Sequence, residues 1–478
     1  MCGIFTSYTL DDLVVEAGNL DHRGREGGGY GAYSPTKGIY IVKWVGGVGT
    51  LDKWDLYDIF PSDSLFFFGH LRYATKGRKD KLLQDTHPHV IGGKRYYQGD
   101  HVIIENADAA IVHNGQVDEK YLQSVDESLL TTDCDSERLL HEFLNRGEEA
   151  VIRDVPGAYS CVIVRKGIDG YVAVRDRHGI NPGALGFKGG KYLVASEDHA
   201  ITAMGGEFVE NMRPGAAYYF DANGKFTKKK FVEPDKKHCC FQYTYMADRR
   251  SKIDQVGVND VRLNLAKVCA AELERDGLTD GIDIVTYIPR TPRNAARLLA
   301  ERIRKPYYPL LYKSRGTRTF MGPDTDERRD VARTNINLNP NFLHLIKGRT
   351  ILELEDSTVR GNNGARTVEL FAPYEPKKII MMKYTPKVGL ITSDGVAHGC
   401  ESGVDMPPHS EDFIARGRND EEIAVEMIRL AQENSGMSID INLQVRYISE
   451  DGFFSAFEKT GMPRDRLCYF CLSGPRPF

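Results

Sequence analysis

No stretch of the 478 residues approaches the ~18–20 consecutive apolar positions that a membrane helix needs. The amino terminus lacks a charged segment followed by an apolar one, so no signal peptide is expected. Both absences point to a cytoplasmic chain without a membrane partner. Basic residues are not in excess: 63 Lys and Arg face 67 Asp and Glu, for a net charge of −4 and a pI near 6.4. That balance lacks the electrostatic footprint of a nucleic-acid binder. No internal repeat is sustained and no low-complexity tract occurs. Cysteine is present in an odd number, nine. In a long chain without an export signal, reduced thiols with catalytic or metal duties are expected in place of disulfides.

What is present is an ordinary globular composition, 41% hydrophobic and 27% charged, in a chain too long for one core. The text divides near residue 232, giving an expected domain over 2–232 and another over 233–478. Up to about Phe220, short strands such as Tyr159–Val164, Tyr171–Val174 and Tyr192–Ala195 recur at spacings that suit antiparallel pairing, and Asp221-Ala222-Asn223-Gly224 is a hairpin signal. Lys228–Lys230 and Lys236-Lys237 bracket Pro234 in what reads as a solvated joint. Beyond it, strands alternate with helices. Val261, Leu265 and Val268 form a helical stripe behind an N-cap expected at Asn259-Asp260. Ile282, Ile284 and Ile288 alternate as a strand, and Ala295, Leu298, Leu299 and Ile303 make another stripe. Ile351–Glu355 is a strand, followed by a helix through Thr367–Leu370, and Ile423, Met427 and Leu430 mark a last helix. This rhythm predicts an open parallel α/β sheet.

The most informative residue is Cys2, in Met1-Cys2-Gly3-Ile4. Removal of Met1, which small second residues permit, would leave a thiol and an α-amine on one residue. With unperturbed pKa values of ~8.5 and ~8, the amine can relay the thiol proton at neutral pH. A thiolate that attacks a carboxamide needs an oxyanion hole. His113-Asn114-Gly115 offers an amide side chain beside an approachable backbone N–H. Arg72 and Thr75 follow the apolar strand Leu65–Phe68, where a guanidinium could hold an α-carboxylate, and Asp135 could hold an α-ammonium. Each has an ordinary reading as well: a turn, a solvated arginine, an N-cap.

Taken in order, Met1-Cys2-Gly3-Ile4, His22-Arg23-Gly24, Gly69-His70-Leu71-Arg72-Tyr73, His113-Asn114-Gly115, Asp135-Ser136-Glu137 and Ser196-Glu197 resemble the blocks of the class II glutamine amidotransferases, the N-terminal-nucleophile superfamily. The resemblance implies an αββα sandwich in which Cys2 attacks glutamine, releases ammonia and leaves a glutamyl thioester for water. It implies Asn114 and Gly115 as the oxyanion hole, Arg72 and Asp135 gripping the amino acid, and Thr75 and His87 as further glutamine contacts. Thr86-His87-Pro88-His89 is closer to the sugar-phosphate branch of that family.

In the second half, Glu355-Asp356-Ser357 closes a strand and a Gly-bearing loop, Arg360-Gly361-Asn362-Asn363, opens a helix. Adjacent acids can reach ribose hydroxyls or Mg²⁺, and the loop and helix N-terminus can hold a 5′-phosphate; a generic acidic loop has the same look. The stretch resembles the diphosphate-sugar motif of type I phosphoribosyltransferases. Lys313–Phe320 with Arg328-Arg329 and Phe241–Asp248 resemble the mobile loop and inter-domain block of glutamine phosphoribosylpyrophosphate amidotransferases. Against that family's pattern, Asn362-Asn363 replaces two Thr, Glu353 an apolar residue, Thr358 an aliphatic one and Arg290 an acid.

Cys468-Tyr469-Phe470-Cys471 is a C-x-x-C pair with Cys239-Cys240 and Cys400 upstream, a spacing open to redox, zinc or iron–sulfur roles. The family resemblance implies a [4Fe–4S] cluster on Cys239, Cys400, Cys468 and Cys471, with Cys240 competing for the first place. Cys134, Cys161 and Cys269 read as small core residues. The resemblance implies transfer of glutamine-derived ammonia to 5-phosphoribosyl 1-diphosphate with Mg²⁺, nucleotides as effectors and a homo-oligomer. A different phosphorylated acceptor, or a nucleotide- and oxygen-sensing role without catalysis in the second half, stand as alternatives.

Overall fold

The structure is a computed structural model that describes residues 2–73, 81–314, 335–403 and 406–478. Strands from Gly3–Ser7 to Phe226–Lys230 form one thirteen-stranded antiparallel sheet. The sheet folds back on itself, because its two halves share one apolar interior. Ile4, Phe66, Phe68 and Val194 from one half meet Val162, Val164, Tyr218 and Phe220 from the other. Across the seam the Phe66 and Tyr171 rings are 5.1 Å apart, and Thr6 Oγ1 and Tyr171 OH are 3.0 Å apart. The long strand His101–Gln116 joins the halves, pairing with Gly38–Val45, His89–Gln98 and Ala158–Arg165.

Both faces of each layer are covered. Helices Leu10–Leu20 and Asp198–Ala203 cover one outer face, and Asp135–Asp154 covers the other. Strand Ala158–Arg165 shows why its residues are almost all apolar: Val162 and Val164 enter the interior while Cys161 and Ile163 lie under the helix. The result is the αββα arrangement. The predicted hairpin at Asp221–Gly224 is formed, with Gly224 at φ 73°.

The second half carries four parallel strands in the order Ile284–Tyr287, Thr350–Glu355, Lys378–Lys383 and Leu443–Tyr447. Val258–Arg275, Arg293–Arg302 and Glu450–Glu458 pack on one face, and Asn362–Phe371 and Asp420–Ser435 on the other. Leu352 and Leu354 point to the first face. Ile351 points to the second, and by alternation Glu353 and Glu355 share its side.

Three expectations change. The first helix starts at Val258 behind Gly257, because Asn259 is already helical and its side-chain oxygen accepts from Asn294. The strand expected from Ile282 begins at Ile284. The polar joint is not solvated slack: Lys228–Lys230 belong to the last strand of the sandwich, and Asp235 and Lys237 N–H groups donate to the carbonyls of Arg177 and His178 at 3.1 and 2.8 Å.

Candidate active site

Cys2 sits at the open end of strand Gly3–Ser7. Its backbone nitrogen donates to Asn114 Oδ1 at 2.9 Å, and its carbonyl accepts from Arg23 Nε at 2.9 Å. Asn114 is fully buried on the neighbouring layer, and its Nδ2 has no hydrogen-bond partner. An unpaired buried donor beside a thiol is what an oxyanion site requires before its anion forms. Gly115 is obligatory, since a Cβ there would lie 1.8 Å from the Ala158 carbonyl oxygen. Arg72 ends strand Phe66–Arg72, 6% exposed, with Nη2 3.9 Å from Asp85 Oδ2. Asp135 is not the helix N-cap. Cys134 holds that position, and Asp135 Oδ2 accepts from Val117 N at 2.8 Å. Thr75 lies outside the described residues. His87 is buried, stacked on His70 with centroids 3.9 Å apart, and not on the wall shared with Cys2.

Two relays that the sequence motifs leave unassigned reach this site. Glu197 accepts from Arg23 Nη1 at 2.6 Å, from Ser251 Oγ at 2.5 Å and from Asp248 N at 2.9 Å, and it faces His22 Nε2 at 2.8 Å. Burial alone would push its carboxyl up, but His22 and Arg23 hold it well below the usual range. Arg23, so fixed, holds the Cys2 carbonyl. In the second relay Gln242 Nε2 donates to Asn181 Oδ1 at 3.2 Å, and Asn181 Nδ2 donates to the Asn114 carbonyl at 2.9 Å. Gln242 lies inside the Phe241–Asp248 block; Asn181 stands in a loop with no local signature. We expect Asn181→Ala to lower glutamine turnover about 10-fold, the worth of one or two buried hydrogen bonds, with KM little changed. Steady-state glutamate release checks this.

The Glu355–Asn363 loop lines the same cavity as Cys2. Glu355 closes its strand, 3% exposed, and both of its oxygens are taken: Oε2 by Lys383 Nζ and by Thr358 Oγ1 at 3.0 Å, Oε1 by Asn363 Nδ2 at 3.2 Å. Of the adjacent acids, Asp356 therefore faces the cavity with the freer carboxylate. Its surroundings, mainly burial and then the Glu355 charge, push its carboxyl up to about 7. Gly361, at φ 80°, caps helix Asn362–Phe371, and a Cβ there would meet Ile414 at 2.4 Å. Ser357, Arg360, Asn362 and Asn363 line the same wall. Arg315–Phe320 and Arg328-Arg329 lie outside the described residues.

One cavity of about 360 Å³ has Cys2, Gly115, Glu355, Asp356 and Asn362 on its walls. Cys239, Cys400, Cys468 and Cys471 border it too. Cys239 and Cys468 are paired on adjacent short strands. Burial first, and then Cys400 and Cys471, pushes the Cys239 thiol up; burial and the other three do the same to Cys468. Thiols gathered so closely that their neighbours raise Cys239 and Cys468 form a donor set that a cationic centre would relieve. Cys240 is fully buried and absent from that wall, which favours Cys239 as the first donor. Cys161 and Cys269 are buried core residues as expected, but Cys134 is partly exposed at its helix start.

Comparison with known proteins agrees with this geometry. Residues 98–234 match the family model described as a glutamine amidotransferase domain. The chain is 28% identical to the amidophosphoribosyltransferase of Methanocaldococcus jannaschii over 100% of this chain and 98% of that one. It is 28% identical to the Escherichia coli amidophosphoribosyltransferase over 88% and 84% of the two chains. The glutamine phosphoribosylpyrophosphate amidotransferase of B. subtilis, solved with ADP and GMP, superposes with a TM-score of 0.78 at 23% identity, covering 100% of this chain and 97% of that one. The sandwich thus carries a match to the glutamine amidotransferase domain, and the fold of the whole chain is that of the B. subtilis enzyme. Over its full length the chain is similar to amidophosphoribosyltransferases.

Proposed function

We propose that the chain is an enzyme that hydrolyses glutamine at Cys2 and passes the ammonia to 5-phosphoribosyl 1-diphosphate, giving 5-phosphoribosylamine, the first step of purine synthesis. One observation carries this reading: Cys2 and the Glu355–Asn363 loop face a single cavity. Removal of Met1 frees the nitrogen that lies 2.9 Å from Asn114 Oδ1 as an α-amine. That amine takes the Cys2 proton, and the sulfur adds to the side-chain carboxamide carbon of glutamine. Asn114 Nδ2 and Gly115 N–H stabilise the oxyanion. The amine returns the proton to the leaving nitrogen, the C–N bond breaks, and water later hydrolyses the thioester. Arg72 and Asp135 hold the two ends of the amino acid. Ammonia then crosses the cavity and displaces pyrophosphate from the sugar C1, shielded from water.

In this reading Asp356 holds the ribose hydroxyls, and Ser357, Arg360, Gly361, Asn362 and Asn363 hold the 5′-phosphate; Mg²⁺ would bind chiefly through the substrate's phosphates, screening their charge. Cys239, Cys400, Cys468 and Cys471 would hold a [4Fe–4S] cluster, which supplies a cross-link between the two short strands at 238–239 and 467–468 and the 400 loop. We place the domain division at 232/233, and the protein in the cytoplasm as a homo-oligomer. A nucleotide effector role is supported by the relative solved with ADP and GMP.

The engagement of Glu355 by Lys383 favours a second reading, in which another phosphorylated acceptor is used. Glutamate and pyrophosphate release, measured on anaerobically purified protein with and without phosphoribosyl diphosphate and Mg²⁺, decides between them. Stimulated hydrolysis with equimolar pyrophosphate is expected. Basal hydrolysis unmoved by phosphoribosyl diphosphate would remove the acceptor assignment and leave the glutaminase.

A further inference from the structure

Behind the glutamine end of the cavity, His87 and His89 from one segment and Cys134 from another converge. One ligand atom from each lies within 4.8 Å of the other two. Both ring nitrogens of His87, and Nε2 of His89, are buried without a hydrogen-bond partner. Two orphaned imidazoles side by side are costly, and nothing in the glutamine chemistry above uses them. Cys134 is a helix N-cap whose side chain makes no capping bond; its thiol donates to Asp135 Oδ1 at 3.6 Å, a bond that a metal taking the sulfur as thiolate would replace. Local charge is balanced, with Lys43, Arg72 and Arg95 near Asp85, Asp135 and Glu137, and the thiolate that a metal would hold offsets half the charge of a dication.

We propose that His87, His89 and Cys134 form a binding site for a thiophilic divalent cation, with zinc as the fitting ion, and that its occupancy inhibits glutamine binding. The donor set, two imidazoles and one thiolate, is that of an open tetrahedral zinc site with a fourth place for water. Zinc bond lengths put such donors about 3.5 Å apart, so closure needs a movement on the order of 1 Å. The inhibition follows from position. Cys134 Sγ lies 3.6 Å from Asp135 Oδ1. A cation on that sulfur draws the carboxylate away from the glutamine α-ammonium. This second half rests on the glutaminase reading; the binding does not.

The test uses the full chain and zinc itself. Equilibrium dialysis should show one zinc fewer bound by Cys134→Ser and by His89→Gln than by the parent, with Cys2→Ala keeping the parent's number. With Co²⁺ as probe, the thiolate-to-metal absorption should shrink in Cys134→Ser and stay in Cys2→Ala. Without metal both site variants should keep the parent's glutaminase activity. With zinc the parent's KM for glutamine should rise about 10-fold while the variants' does not. Equal zinc in the parent and both variants, each shown folded by its thermal melt, would overturn the site. Loss of kcat at constant KM would place the inhibiting zinc on Cys2 and overturn the inhibition. A parent without glutaminase activity whose extra zinc is still lost in the variants would sink the glutaminase reading and leave the site standing.

Discussion

Cys2→Ala is expected to lower glutamine-dependent turnover by roughly 10⁴-fold or more while leaving ammonia-supported synthesis in place. The size follows from the absence of a substitute. Around Asn114 Nδ2 and Gly115, Cys2 is the one thiol on the glutamine side of the cavity among the described residues, and its nitrogen can move protons but cannot form the thioester. The persistence follows from separation: Asp356, Gly361 and Asn362 line the cavity from their own loop, and Glu355 at its start is held by Lys383 and Thr358, not by the sulfur. Glutamate release with glutamine as donor, and pyrophosphate release with an ammonium salt at alkaline pH, read the two halves independently. Glutaminase activity surviving in the variant would remove Cys2 as nucleophile. Loss of both activities in a folded variant would show that the two chemistries share one site.

The local patterns that encode this architecture differ in how far they reach. Strand Ala158–Arg165 is apolar on both faces because both are covered, and it is legible as a strand from eight residues alone. The fold-back of the sheet is not local. It depends on Tyr171, Phe66 and Thr6 meeting across more than a hundred residues, which no spacing rule encodes. Cys2, Asn114, Gly115, Glu355 and Asp356 were readable because their chemistry requires particular residue types in short blocks. The cavity that brings them together was not, nor were Asn181, which holds the Asn114 backbone, and Gln242, which holds the Asn181 and Arg23 side chains. The same limit explains Cys134. A cysteine before Asp-Ser reads as core, and only the approach of the His87–His89 segment makes it a potential ligand.

Removal of Lys383 should cost heavily in stability. It ends the apolar strand Lys378–Lys383, and its ammonium is fully buried against Glu355. Glu353, on the same face, is 0% exposed, and neither of its oxygens has a hydrogen-bond partner. One cation thus serves two buried acids. Burial drives the Glu353 carboxyl up to about 8, the Glu355 charge adds to that, and Lys383 opposes it. Lys383→Met strands Glu355 as an unpaired buried charge, with an expected loss of about 3–5 kcal/mol in urea unfolding. Glu353→Leu should act in the opposite sense, gaining about 1–3 kcal/mol by replacing an orphaned acid beside Met381 with an apolar side chain. The sign of its pH dependence follows from the direction of the shift. Folded Glu353 holds its proton to about 8 against an ordinary 4.5, so its penalty is smallest below 4.5 and grows as pH rises toward 8. The advantage of Glu353→Leu should therefore be larger at about pH 9 than at about pH 5. An equal gain at both would mean that Glu353 does not titrate in this range. Because Glu355 is held by Lys383, the same lysine sets which acid meets the acceptor. The milder Lys383→Arg, which keeps the charge but cannot fit the same pocket unstrained, should raise the acceptor KM while basal glutamine hydrolysis stays unchanged. An unaltered acceptor KM in that folded variant would show that the Lys383–Glu355 pair has no part in placing Asp356 for the acceptor.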